Sequence, residues 1–223
     1  MQDPRDSETS EGLPDASRIS PSQAPDDGAL AGLLRRRRST RSYSSGPVDR
    51  DDLGRLLRTA IVGPAGRRPY ASAHARYDVT TTVVAVDVEG LAPAAYQHRP
   101  ESHELIPVAE GDHGARLAHA TLDAEWLEEC PAVLLLSADL AAADEAFATQ
   151  GPGQGERFCW FEAGLIAQNV HLWAAENALG TVFLGGLDPS ETRGVEHRLL
   201  PSGHTLLGVL PLGRPSRIEP TDL

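Results

Sequence analysis

Arg35-Arg36-Arg37-Arg38-Ser39-Thr40-Arg41 (RRRRSTR) is the stretch on which the reading of this chain turns. The protein has 223 residues and a formal net charge of −12, and it draws five of its 20 basic side chains from these positions. Crowded guanidinium groups repel one another, and a bound anion relieves that repulsion. Planar Arg forks match phosphate oxygens bidentately, and the Ser39 hydroxyl adds a further donor. Taken alone, the run is either an exposed arginine-rich helix end or a phosphate cradle.

The surroundings are acidic and ordinary in apolar content. The length suits one domain with a genuine core. Residues 1–27 are rich in Pro, Ser and Asp with almost no apolar side chains, so they read as a disordered acidic tail. One domain is expected over 28–217, followed by a short tail over 218–223. The N-terminus lacks the pattern of a secretion signal, and no apolar run reaches membrane-span length, so a cytoplasmic protein without a membrane partner is expected. Cys130 and Cys159 have neither metal-ligand spacing nor a disulfide framework and read as buried reduced thiols; no metal is expected. The negative balance and the lack of an aromatic stacking platform argue against nucleic acid. The chain contains no lysine.

Periodicity predicts a helix from Gly28 to Ser39 on Leu30, Leu33 and Leu34, which delivers the arginines to a helix–loop junction. Arg41 to Ser45 reads as a short strand, and Pro47-Val48-Asp49 announces a second helix. Val79 to Val88 and the apolar run Ala132 to Ala138 read as strands, with a hairpin between them from Ala94-Ala95-Tyr96 and Leu105 to Val108. A helix is expected from Asp112 to Leu122, then a short one near Trp126. Trp160 to Leu179 reads as a long helix, apolar nearly all round and closed by Gly180; such a helix is buried in a domain or across a dimer interface. Thr181 to Leu184 reads as a strand, Asp188-Pro189-Ser190-Glu191 as a helix start, and Leu206 to Leu212 as the last strand. These elements interleave without a regular βαβ beat. The expected class is α+β, a sandwich with a mostly antiparallel sheet.

Six segments, in order, resemble the flavin-dependent nitroreductase fold and, within it, the SagB-type dehydrogenases. Residues 37–43 (RRSTRSY) are similar to the opening Arg-Arg-Ser-x-Arg-x-aromatic motif, and 68–77 (RPYASAHARY) to R-P-Y-P-S-A-G-A-L-Y. Residues 90–96 with 103–108 are similar to the G-L-P-P-G-x-Y hairpin. Arg157 to Gly164 with Ala167-Gln168-Asn169 resembles R-x-x-x-x-E-A-G-H-x-x-Q-N. Residues 184–188 (LGGLD) resemble the flavin-contacting loop, and 212–215 (LGRP) the closing V-G-R-P.

The resemblance implies a nitroreductase-like sandwich, an intertwined homodimer and non-covalent FMN. Its phosphate would rest on Arg37, Arg38, Ser39, Arg41 and Arg214. Ser72 and Ala73 would lie along the flavin. Leu184, Gly185 and Gly186 would meet the ring, because a backbone without Cβ approaches a flat ring closely. The implied reaction is two-electron oxidation of an azoline-like ring in a small-molecule or modified-peptide substrate, with oxygen reoxidising the flavin. Three departures matter. The Lys-Tyr pair expected before the long helix is replaced by Ala148 to Arg157; the glycine of S-A-G is His74; the histidine of E-A-G-H is Leu165. His74 is therefore the leading candidate base, with Tyr77 and Glu156 behind it. A nicotinamide-dependent nitro, quinone or enone reductase and a catalytically degenerate partner subunit remain open alternatives. The glycine-rich 151–155 stretch reads equally as a mobile loop over the site or as a plain surface linker.

Overall fold

The computed structural model describes residues 28–122 and 124–216; the tails expected over 1–27 and 218–223 lie outside the described residues. The strands are β1 (Thr80–Ala85), β2 (Ala94–Arg99), β3 (Glu104–Glu110), β4 (Ala132–Ala138) and β5 (Thr205–Leu212). They form one sheet in the order β3-β2-β1-β4-β5, antiparallel at every pairing. β4 is buried along its whole length, as a central apolar strand must be.

The helices are α1 (Ala29–Arg36), α2 (Arg50–Leu56), α3 (Gly114–Ala120), α4 (Leu140–Ala146), α5 (Gln154–Glu176) and α6 (Pro189–Leu199). Alternation along the strands loads both faces of the sheet. Val83, Ala85, Leu134 and Leu136 pack under Leu53 and Leu56 of α2 and Ile166, Val170 and Trp173 of α5. Val84, Val133 and Leu135 pack under Leu117 of α3 and Val195 and Leu199 of α6. The result is the expected α+β architecture: one antiparallel sheet between two helical layers.

Several boundaries differ from expectation for local reasons. α1 stops at Arg36, because Arg37 turns to φ −53, ψ 126. Residues 41–45 and 181–184 form isolated bridges rather than strands: Ser39 with Thr181, Tyr43 with Pro215 and Leu184 with Val209. α5 begins six residues before Trp160 and ends at Glu176; Ala178, at φ 54, reverses the chain where Gly180 was expected to. Gly180 instead packs against Thr40. α4, unanticipated, is capped by Asp139, which accepts from the Ala142 N–H at 2.9 Å.

The 151–155 stretch, read as either a mobile cover or a surface linker, is a tight turn entering α5. Gly151 and Gly153 take φ of 114° and 71°. Gly155 is buried in the first turn of α5, where a Cβ would lie 2.2 Å from the Ala143 carbonyl of α4. These glycines permit a close helix crossing. Among the described residues no helix is long and apolar enough to cross a membrane.

Candidate functional site

The arginine run leaves α1 and is stitched to two distant segments. Thr40 donates its N–H to the Thr181 carbonyl at 3.0 Å, and Ser44 donates to the Arg214 carbonyl at 2.9 Å. Ser216 returns its N–H to the Ser42 carbonyl at 3.0 Å, and the Ser42 and Ser216 hydroxyls bond one another. The Tyr43 hydroxyl donates to the Thr40 carbonyl at 2.8 Å while its ring lies 5.9 Å from Trp126. Burial pushes the Tyr43 phenol well above its usual range, so it stays a neutral donor. The aromatic of the motif thus anchors the loop that carries Ser39 and Arg41.

The two arginine segments expected to converge do so through their backbones. Among the described residues, Arg37, Arg38, Arg41 and Arg214 pair with no carboxylate, despite the acidity of the chain. Arg38 is folded back: its Nη1 donates to the carbonyls of Arg35 at 2.6 Å and Arg37 at 2.9 Å, satisfying the end of α1. A cavity of about 560 Å³ opens here, lined by Arg36, Arg38, Thr40, His171, Thr181 and Pro215 among others. His171 is buried with no partner for Nδ1, and burial together with Arg37 lowers its pKa.

From Thr181 the chain follows the outer edge of β5, with Leu184 and Val209 exchanging bonds of 2.9 and 3.0 Å. Gly185 and Gly186 come next. Neither adopts positive φ, and a Cβ on either meets only ordinary contacts, 3.6 Å to Phe183 and 3.8 Å to Leu122. Nothing in the chain's own packing demands glycine at these two positions.

The loop carrying Ser72, Ala73, His74 and Tyr77 is held from α5. The Glu162 carboxylate, 3 % exposed, accepts the Val79 N–H at 2.9 Å and a hydrogen bond from Ser72. The Ser72 hydroxyl oxygen in turn accepts the Tyr77 N–H at 2.8 Å. Asn169 Nδ2 donates to the Pro69 carbonyl at 3.2 Å and the Ala60 carbonyl at 3.4 Å. Glu162 and Asn169, two turns apart, therefore share a face and pin the backbone of this segment. Burial raises the Glu162 pKa.

Between these anchors three non-glycine residues take left-handed backbone: His74 at φ 53, Ala75 at 55 and Tyr77 at 57. Such conformations cost about 1–2 kcal/mol each outside glycine. Position 74 is where the resembling motif carries glycine, and the backbone explains that glycine. His74 is exposed and lies edge-on to Phe147, ring centroids 5.4 Å apart. Tyr77 is half-buried, edge-on to Tyr70 at 5.8 Å, with the Arg68 guanidinium 5.4 Å from its ring centre.

The structure brings together the segments carrying Ser39, Arg41 and Arg214 and the extended stretch from Thr181 that leads to Leu184, Gly185 and Gly186. It brings together Ser72, Ala73, His74 and Tyr77 separately. The first group meets α5 at His171 and the second at Glu162, nine residues apart, or about 14 Å along the helix. Glu162 and Asn169 were legible only as members of the 157–169 motif, with no role attached, and His171 was not singled out at all; their spacing of seven residues was the signal that the first two share a helix face.

Residues 34–214 match the Nitroreductase family. A protein of Methanocaldococcus jannaschii named "Putative nitroreductase MJ1384" is 31% identical over 187 residues, 83% of this chain and 90% of that one. Among solved structures, a chain of the E. coli microcin synthetase McbBCD complex, with truncated pro-MccB17 bound, superposes with a TM-score of 0.70 at 21% identity. The match covers 92% of this chain and 79% of that one. B. megaterium NfrA2 gives a TM-score of 0.58 at 20% identity over 83% of this chain and 66% of its own.

Proposed function

The chain belongs to the nitroreductase family of oxidoreductases, and on that premise we propose that it is an FMN-dependent, SagB-type dehydrogenase acting on a peptide-derived or carrier-bound intermediate. The observation that carries this reading is the stitching of residues 39–44 to Thr181 and to 214–216. It gathers arginines that have no carboxylate partner among the described residues beside glycines that the chain's own packing does not require. A phosphate fits the first and a flat ring the second.

FMN would supply two-electron hydride chemistry here, with oxygen as the final acceptor. Arg37, Arg41, Arg214 and the Ser39 hydroxyl would hold its phosphate by charge-assisted bonds, with Arg38 contributing the donors its folded-back Nη1 leaves over. Gly185 and Gly186 would leave room for a flat ring, and Ser72 and Ala73 would border it. A base on the 72–77 loop, His74 or Tyr77, would take the proton from the atom next to the carbon that gives up hydride. The fold shared with a chain of a synthetase complex that holds a pro-peptide is compatible with such a substrate.

A homodimer completes the site, because the two residue groups are separated along α5 within one chain. Trp160, Phe161 and Leu165 of α5 are 40, 65 and 42 % exposed, and Leu30 and Leu34 of α1 are 60 and 49 % exposed. An apolar face of this kind fits a second copy of the chain.

The relative from M. jannaschii, named as a nitroreductase, favours a second reading: a nicotinamide-dependent reductase of nitro, quinone or enone groups. Anaerobic mixing with NADH or NADPH separates the two. Prompt bleaching of the flavin supports the reductase. Resistance to both, with oxygen consumed only when an azoline-containing peptide is added, supports the dehydrogenase.

A further inference from the structure

Away from the arginine loop, α2 and the β2–β3 hairpin enclose a cleft of about 270 Å³, lined by Arg50, Asp51, Gly54, Arg58, His98 and His103 with leucines between them. His98 on β2 is 3 % exposed, yet neither of its ring nitrogens meets a protein partner. The Nδ1 of His103 is likewise buried without one, and the two rings lie 6.3 Å apart. A neutral imidazole always carries one N–H, and leaving a buried donor unmatched costs about 1–3 kcal/mol.

The charges around these rings are cationic. Among the described residues Arg50 and Arg58 have no carboxylate partner, and Asp51 is the one carboxylate in the lining. Arg58 belongs to a π-helical turn, Leu57–Ile61, a rare conformation concentrated at functional sites. Gly54 lets the Arg58 guanidinium fold across α2, since a Cβ there would stand 3.2 Å from Nη2. His103 holds a left-handed backbone at the hairpin turn, with φ 57.

We propose that this cleft is an oxyanion site, seating a phosphate, sulfate or carboxylate group between the Arg50 and Arg58 guanidinium groups and the N–H donors of His98 and His103. Two guanidinium groups repel a metal ion, which is the other ligand two histidines can take. Burial first, then His103 and Arg68, push the His98 pKa down to about 4 against a weaker opposing pull from Glu101, so the ring binds as a neutral donor. The volume holds a tetrahedral anion with room for a small organic body. The ligand is therefore either a free oxyanion or the phosphate of a small ester.

Calorimetric titration of the purified protein, loaded with FMN so that the arginine loop is not the acceptor and then freed of unbound FMN, tests this. Sodium sulfate and glycerol 3-phosphate are titrated separately at constant ionic strength. The proposal expects one saturable site per chain, weakened at least tenfold by Arg58→Gln and by His98→Phe. Equal affinity for the two probes identifies a free anion, and tighter binding of glycerol 3-phosphate identifies an ester. Arg58 is exposed, so Arg58→Gln reads out even if His98→Phe fails to fold. Absence of saturable binding overturns the proposal, as does affinity unchanged in Arg58→Gln, or Zn²⁺ bound tightly with sulfate ignored.

Discussion

Gly180 lies so close to Thr40 that a Cβ on it would stand 2.6 Å from the Thr40 methyl carbon. The same glycine exchanges backbone bonds with Gly213 at 2.8 and 3.4 Å. One residue without a side chain therefore lets the arginine loop and the Gly213-Arg214 segment close on the end of α5. Gly180→Ala should push residues 39–41 outward, destabilise the protein by about 1–3 kcal/mol, and weaken FMN binding. Denaturant unfolding and FMN titration of the one variant check both effects.

Arg41 is exposed and, among the described residues, has no carboxylate partner. In the proposed phosphate site, removing it deletes a charge-assisted bond to a dianion, worth about 1.5–3 kcal/mol. Arg41→Ala should raise the FMN dissociation constant roughly ten- to a hundredfold, measured by fluorescence quenching, while thermal stability without flavin stays near wild type. Undiminished FMN affinity would remove Arg41 from the phosphate site.

The buried Glu162 gives a pH signature. Burial raises its folded pKa above the unfolded value. Its protonated form therefore contributes stability that is complete below the ordinary carboxylate range and is lost as pH rises through the raised value. Relative to wild type, Glu162→Gln should gain stability from pH 4.5 to pH 8, since an amide oxygen can still accept the Val79 N–H. Urea unfolding of both proteins across that range measures the difference; a flat difference contradicts the assignment.

Phe161 is 65 % exposed in the middle of the apolar face of α5. Phe161→Asp should convert a particle with the mass of two chains into one with the mass of a single chain in light scattering, with release of flavin. A wild-type particle of single-chain mass would contradict the dimer.

His74 can be separated from its backbone strain. His74→Gly suits φ 53, so folding stability should stay within about 1 kcal/mol of wild type. Substrate-driven flavin reduction should slow by about a hundredfold or more if the imidazole takes the proton. Unchanged single-turnover kinetics would eliminate His74 and leave Tyr77 as the candidate.

Much of the fold was legible in residue type: the β-branched 80–85 stretch and the apolar run 132–138 are strands buried almost throughout, and 94–99 is the hairpin arm expected between them. Asp188 caps α6 as its Asp-Pro-x-Glu pattern indicates, accepting from the Ser190 N–H at 2.7 Å. What escaped depended on partners distant in sequence. Gly155 and Gly180 read as loop and cap residues, but their meaning lies in Ala143 and Thr40. The pairing of residues 42–44 with 214–216 agrees with what the family resemblance implied, whereas the His98 cleft was not legible, because its donors come from a hairpin and a helix some 40 residues apart.

A flavin held by the arginine loop is what the proposed function requires, so the first measurement is the visible spectrum of the purified protein and the identity of any chromophore released on denaturation. The expected result is a yellow protein that releases FMN in near-stoichiometric amount, depleted in Arg41→Ala. Colourless protein that also refuses added FMN would contradict it.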